Sequence, residues 1–122
     1  MGEKKKANGK ECLLNLLNVY LSNIEKTEVV IDSQTLDFLL DKLNVMVKEE
    51  KMGRGSRFTL EQLDMFNARF GLDDGGDLKS YEEVANKFNT TDVRVRQAEV
   101  QGIRNLTSYQ MIEENNISRG GR

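Results

Sequence analysis

Leucine and other apolar residues recur every three or four positions through much of the chain, interrupted by short polar or glycine-bearing breaks. That spacing lines one side of a helix. Leu13, Leu16, Leu17, Tyr20, Leu21 and Ile24 predict an amphipathic helix over residues 10–25. The pattern breaks from Glu25 to Ile31, where Val29, Val30 and Ile31 fit either a connector or a brief strand. Asp32 or Ser33 then caps a second helix, about residues 34–50, with Leu36, Leu39, Leu40, Leu43, Met46 and Val47 as its stripe. Thr59 with Gln62 forms a capping box and opens a third helix that runs to Phe70, with Leu60, Leu63, Phe66 and Phe70 inward and Gly71 as its C-terminal cap.

A fourth helix starts at a second capping box, Ser80 with Glu83, and carries Tyr81, Val84, Ala85 and Phe88 on one face. Asn89 tolerates a left-handed backbone and suits the turn that follows. Thr91 caps a fifth helix, with Val95, Ala98, Ile103 and Leu106 inward; an apolar pattern continues through Tyr109, Met111 and Ile112. A short helix, a tight turn and a second helix make a helix-turn-helix over Leu78–Leu106. The fold class expected is all-α: a helical hairpin over residues 1–52, a linker at 53–57 (within KMGRGSR), a small helix-turn-helix domain over 58–114 and a polar tail at 115–122. Two helices alone bury little surface, so the hairpin must pack on the C-terminal domain, on a second copy or on another protein.

Composition narrows the chemistry. Of 122 residues, 38% are hydrophobic and 31% charged, and the formal net charge is -2, so any attraction for nucleic acid must come from locally placed Lys and Arg. Histidine is absent, which removes the commonest general base and metal ligand. One cysteine, Cys12, excludes an internal disulfide and a Cys-based zinc site, and its leucine neighbours suggest a core position. Asp73, Asp74 and Asp77 lie among glycines, but their spacing fails the calcium-loop pattern and fits an ordinary turn. No cofactor and no enzymatic activity are expected. No run approaches a membrane span and no signal-peptide pattern is present, so the expected location is the cytoplasm.

The candidate site is the fifth helix. Arg94, Arg96, Gln97, Gln101 and Arg104 are the residue types that bond guanine and adenine edges in the major groove, and backbone donors at Ser80 and Thr91 are placed to meet phosphates. Double-stranded DNA is the partner this predicts.

Three short motifs go further. RFGLDDG from Arg69, then EEVA-x-x-F from Glu82, then T-x-x-RVRQ-x-E from Thr91 stand in order with nearly ungapped spacing. Together they resemble region four of the primary-type bacterial sigma factors, over about residues 58–106. The resemblance implies a helical domain that reads the upstream promoter element with its last helix and docks on the flap of the RNA polymerase beta subunit. Thr91 matches the family's capping threonine, Arg94, Arg96 and Gln97 its R-V-R-Q, and Glu99 the glutamate after it. Two positions depart: where the family usually carries an arginine and a glutamate, this chain has Asp92 and Val93. The usual promoter element is then not read in the usual way. The resemblance does not extend to the first half of the chain, and at 122 residues the sigma domain that binds core polymerase is not expected here. The expected protein is a DNA-binding transcription regulator or sigma-like subunit, with the hairpin free to form a homodimer or hold a partner. The alternative is a protein-interaction module that binds polymerase or another regulator with little DNA binding of its own.

Overall fold

A computed structural model describes residues 8–25, 30–49, 58–73 and 76–107. The proposed linker at 53–57, the tail at 115–122 and the apolar positions at 109, 111 and 112 lie outside the described residues. Five helices appear among those described: α1 (Gly9–Glu25), α2 (Ser33–Lys48), α3 (Leu60–Arg69), α4 (Tyr81–Lys87) and α5 (Asp92–Leu106). An isolated antiparallel bridge joins Asn8 to Asp77. The all-α expectation is borne out.

The helix starts follow from local chemistry. Asp32 caps α2 by accepting from the Thr35 N–H, and this bond holds its carboxyl below the usual carboxylate range. Both capping boxes form, Thr59 with Gln62 and Ser80 with Glu83, each satisfying otherwise unpaired backbone donors in both directions. After α3 the chain turns through Gly71 at φ +61°, a left-handed conformation that glycine adopts without the steric cost of a Cβ. Asn89 takes the corresponding position after α4, at φ 52°.

α3 is the wall that the other helices share. Leu63, Phe66 and Phe70 face one way and join Leu13, Leu17 and Leu21 of α1, Leu36, Leu39, Leu43 and Val47 of α2, Phe58 and Leu106 in one buried cluster. Met65 and Ala68 face the other way and meet Val84 and Ala85 of α4 and Val95 and Ala98 of α5. The hairpin therefore covers one side of α3 and the helix-turn-helix covers the other. Phe66 sits where the layers meet, edge-on to Phe58 (6.1 Å between centroids) and to Phe70 (5.1 Å). α5 comes close to this ring because residue 102 is glycine: a Cβ there would stand 2.3 Å from the Phe66 ring.

The sequence reading is corrected in three places, and one open choice is resolved. Leu16 and Tyr20 are exposed, because only the Leu13–Leu17–Leu21 edge of the α1 stripe meets the core. Leu60 is exposed at the start of α3, while Met65 and Ala68, which the stripe does not include, are buried by the second layer. Cys12 is half-buried on the flank of α1, beside the core and not within it. Residues 30 and 31 form a connector: the Ile31 N–H donates to Asn18 Oδ1 (2.7 Å), and Asn18 Nδ2 donates back to the Ile31 carbonyl, so a side chain fixes the approach to α2.

Candidate nucleic-acid interface

α4 and α5 cross against α3 with their apolar faces, which leaves the opposite face of α5 in solvent. Arg94, Arg96, Gln97 and Arg104 are exposed there, and Gln101 is half-buried. At 100° per residue, Val93, Gln97, Val100 and Arg104 form one narrow stripe, with Arg96 along its edge. Ser80 and Thr91 are exposed at the starts of α4 and α5. The seven candidate residues thus belong to one structural unit, and their contacts separate them into different roles.

Ser80 and Thr91 are helix caps. Ser80 Oγ accepts from the Glu83 N–H (3.0 Å) while its own N–H donates to Glu83 Oε1 (3.1 Å), so this helix start already holds a carboxylate. Thr91 Oγ1 accepts from the Arg94 N–H (3.3 Å). Arg94 and Gln97 line a shallow groove of about 280 Å³ with Thr59, Glu61, Gln62 and Met65, between the starts of α3 and α5. Arg96 lies over the Tyr81 ring, with its guanidinium carbon 4.8 Å from the centroid.

Tyr81 is the residue that sequence reasoning missed. It fits an apolar position at the start of α4, and its ring does pack beside that cluster. Its hydroxyl also donates to Glu99 Oε2 (2.9 Å), and Arg69 Nε donates to Glu99 Oε1 (2.9 Å). Arg69 stacks over the same ring at 4.0 Å and donates through Nη1 to the Lys79 carbonyl. Glu99 is therefore engaged from α3 and α4. Arg69 and Glu99, which belong to two of the motifs quoted above, meet in space as a partly buried ion pair that ties α3 to α5. A stacked, hydrogen-bonded Tyr81 in turn restrains Arg96, one of the exposed cations on α5.

Burial pushes the Tyr81 hydroxyl above its ordinary pKa; the hydrogen bond and charge of Glu99 add to this, and Arg69 opposes it. A proton held more tightly in the folded chain stabilises the fold fully below the unfolded tyrosine value of about 10 and loses that contribution as pH rises through the raised value. Wild type should therefore lose more stability than Tyr81→Phe between about pH 8 and about pH 11. Urea midpoints at the two pH values check this; equal losses in both proteins would refute it.

Comparison with known proteins gives the geometry a context. The chain is 36% identical over 61 residues to RNA polymerase sigma factor SigA1 of Synechococcus elongatus, and 38% identical over 61 residues to RNA polymerase sigma factor SigA of Clostridium acetobutylicum. Each match covers 50% of this chain but only 15% and 16% of the two relatives, so the chain spans about a sixth of their length. No protein-family model matches the chain, and no solved structure matches it significantly. No helix among the described residues is long and apolar enough to cross a membrane. The likeness carried by the three motifs is borne out: half of this chain is a segment like that of the primary sigma factors of bacterial RNA polymerase.

Proposed function

We propose that this protein is a DNA-binding transcription regulator, or a small sigma-like subunit, that lays α5 in the major groove. The observation that carries the reading is the solvent face of α5: Arg96, Gln97 and Arg104 stand exposed on the second helix of a helix-turn-helix, braced from behind by α3. Arg96 and Gln97 have the chemistry to bond guanine and adenine edges, and Arg104 to meet a phosphate. The sigma factor relatives support a role beside RNA polymerase, for which the resemblance implies the beta flap as the docking surface. The hairpin retains an exposed apolar side, with Leu16, Val19 and Tyr20 on α1 and Phe38 and Val45 on α2, suited to a second copy or a separate subunit.

Selection of bound fragments from genomic DNA, with and without polymerase, tests the reading. Enrichment of inverted half-sites without polymerase is the outcome for a two-fold dimer; enrichment of a single element only with polymerase is the outcome for a sigma-like subunit. On a selected fragment, Arg96→Ala and Gln97→Ala should each weaken binding about 5- to 150-fold, corresponding to the ~1–3 kcal/mol of a good base contact. Gel retardation measures this, and retention of full affinity by both variants would remove α5 as the reading element.

A second reading has its own observation. Asp92 and Val93 occupy the first turn of α5, where negative charge opposes phosphate and valine offers no hydrogen bond. If the chain is an interaction module, polymerase should be captured by wild type and by Arg96→Ala alike, with no retardation of any fragment.

A further inference from the structure

We infer that Val93 is a specificity-determining residue, and that it recognises the C5 methyl group of a thymine in the DNA site. This rests on the proposed function and names the base chemistry that α5 prefers. Val93 is 62% exposed in the first turn of α5, and Val100 is 46% exposed on the same stripe two turns later. The α5 side chains that serve the core are Val95, Ala98 and Leu106, with Ile103 packed against it, so neither of these valines is needed to hold the helix in place. Valine is also a weaker helix former than the residues common on exposed helix faces, so its presence there does little for α5 itself. Within the stripe the two valines alternate with Gln97 and Arg104. An alternation of apolar and hydrogen-bonding groups matches the floor of the major groove, where thymine is the base that presents a methyl group.

Position favours Val93 over Val100. In a helix-turn-helix the N-terminal residues of the second helix contact base edges. Val93 is in that turn, and Gln97 follows one turn later on the same line. The helix rises about 6 Å between them, which spans roughly two base pairs. Gln97 has the donor and acceptor to take adenine, so the pair specifies a short A/T element: adenine opposite Gln97 and a thymine methyl within about two base pairs of it, against Val93. Asp92, next to Val93, is exposed at the start of the helix, and valine is the apolar side chain in that first turn that is likewise exposed.

The test uses the full chain and a duplex enriched from a random pool. Each thymine in the selected element is replaced in turn by deoxyuridine, which differs only by the missing methyl. At one position the loss of the methyl should weaken wild-type binding about three- to fivefold, the effect of one buried methyl-sized group. Val93→Ala should bind the thymine and uracil duplexes equally at that position, and Val100→Ala should keep the difference. The inference is overturned if wild type binds every uracil duplex as well as its thymine parent, or if Val93→Ala retains the difference. It is likewise overturned if Val93→Ala impairs polymerase capture while leaving DNA affinity intact, because the stripe would then be a protein contact. Failure to enrich any duplex would instead contradict the proposed function on which this inference rests. Val93 is exposed and alanine is the better helix former, so the variant should fold.

Discussion

Phe66→Ala should cost about 3–5 kcal/mol of stability, the range for removing a large aromatic side chain from a packed core. Phe66 is fully buried, packs edge-on to Phe58 and Phe70, and lies against Gly102 of α5. Its removal opens the layer between the hairpin and the helix-turn-helix, and the neighbouring backbone can close only part of the space. A domain of this size has total stability of about 5–15 kcal/mol, so the variant should be unfolded in a substantial fraction or melt at much lower denaturant. Urea unfolding followed by circular dichroism measures the loss. A change below about 1 kcal/mol would mean that Phe66 is not the shared core residue that the packing indicates.

Arg69→Ala should be the next most damaging change, at roughly 2–4 kcal/mol. Both side chains of the Arg69–Glu99 pair are only 14% exposed, and removing one partner leaves the other carboxylate in a poorly solvated position. The substitution also removes the stack on Tyr81 and the bond to the Lys79 carbonyl, both of which hold the entry to α4. A double-mutant cycle with Glu99→Gln separates the pair from these other contacts. The double variant should be less destabilised than the sum of the two single ones, since the second change removes the charge that the first left unpaired. Strict additivity would show that the pair does not couple α3 to α5.

Those two positions also show what could be read from the chain and what could not. The caps at Asp32, Thr59, Ser80 and Thr91 were legible because each is a local bond spanning three residues. The turn residues Gly71 and Asn89 were legible for the same reason, since backbone conformation selects them directly. Helix periodicity identified Leu13, Leu17, Leu36, Leu39, Leu63, Phe66 and Val95 as inward. It could not say how much of a stripe is covered: Leu16 and Tyr20 fit the α1 stripe but lie beyond the edge that meets the core, and Leu60 fits the α3 stripe but stands exposed at its first position. Nor could it show that α3 has two buried faces, because Met65 and Ala68 are covered by helices that come later in the chain.

The site was legible as a set of residue types and not as a set of contacts. Arg94, Arg96, Gln97 and Arg104 are on the exposed side of α5, as groove spacing requires. The bracing of that helix depends on Arg69 and Glu99, 30 residues apart, and on a tyrosine whose ring reads in sequence as one more apolar position. Motif agreement marked Arg69 and Glu99 as unusual, but only the fold brings them together. Tyr81 had no such mark: its stack with Arg96 connects an α4 position to the solvent-facing side of α5, a contact that periodicity on either helix does not contain.

The central claim is that a chain of net charge -2 binds DNA through cations gathered on one helix face. Salt tests it most directly. Binding of wild type to a selected duplex, measured by fluorescence anisotropy between about 50 and 200 mM salt, should weaken with a log–log slope of about -2 to -4, the release expected if about two to four phosphates are neutralised. Arg104→Ala should reduce that slope by about one. An isotherm that does not move across this range, or no binding at any salt concentration, would contradict the account.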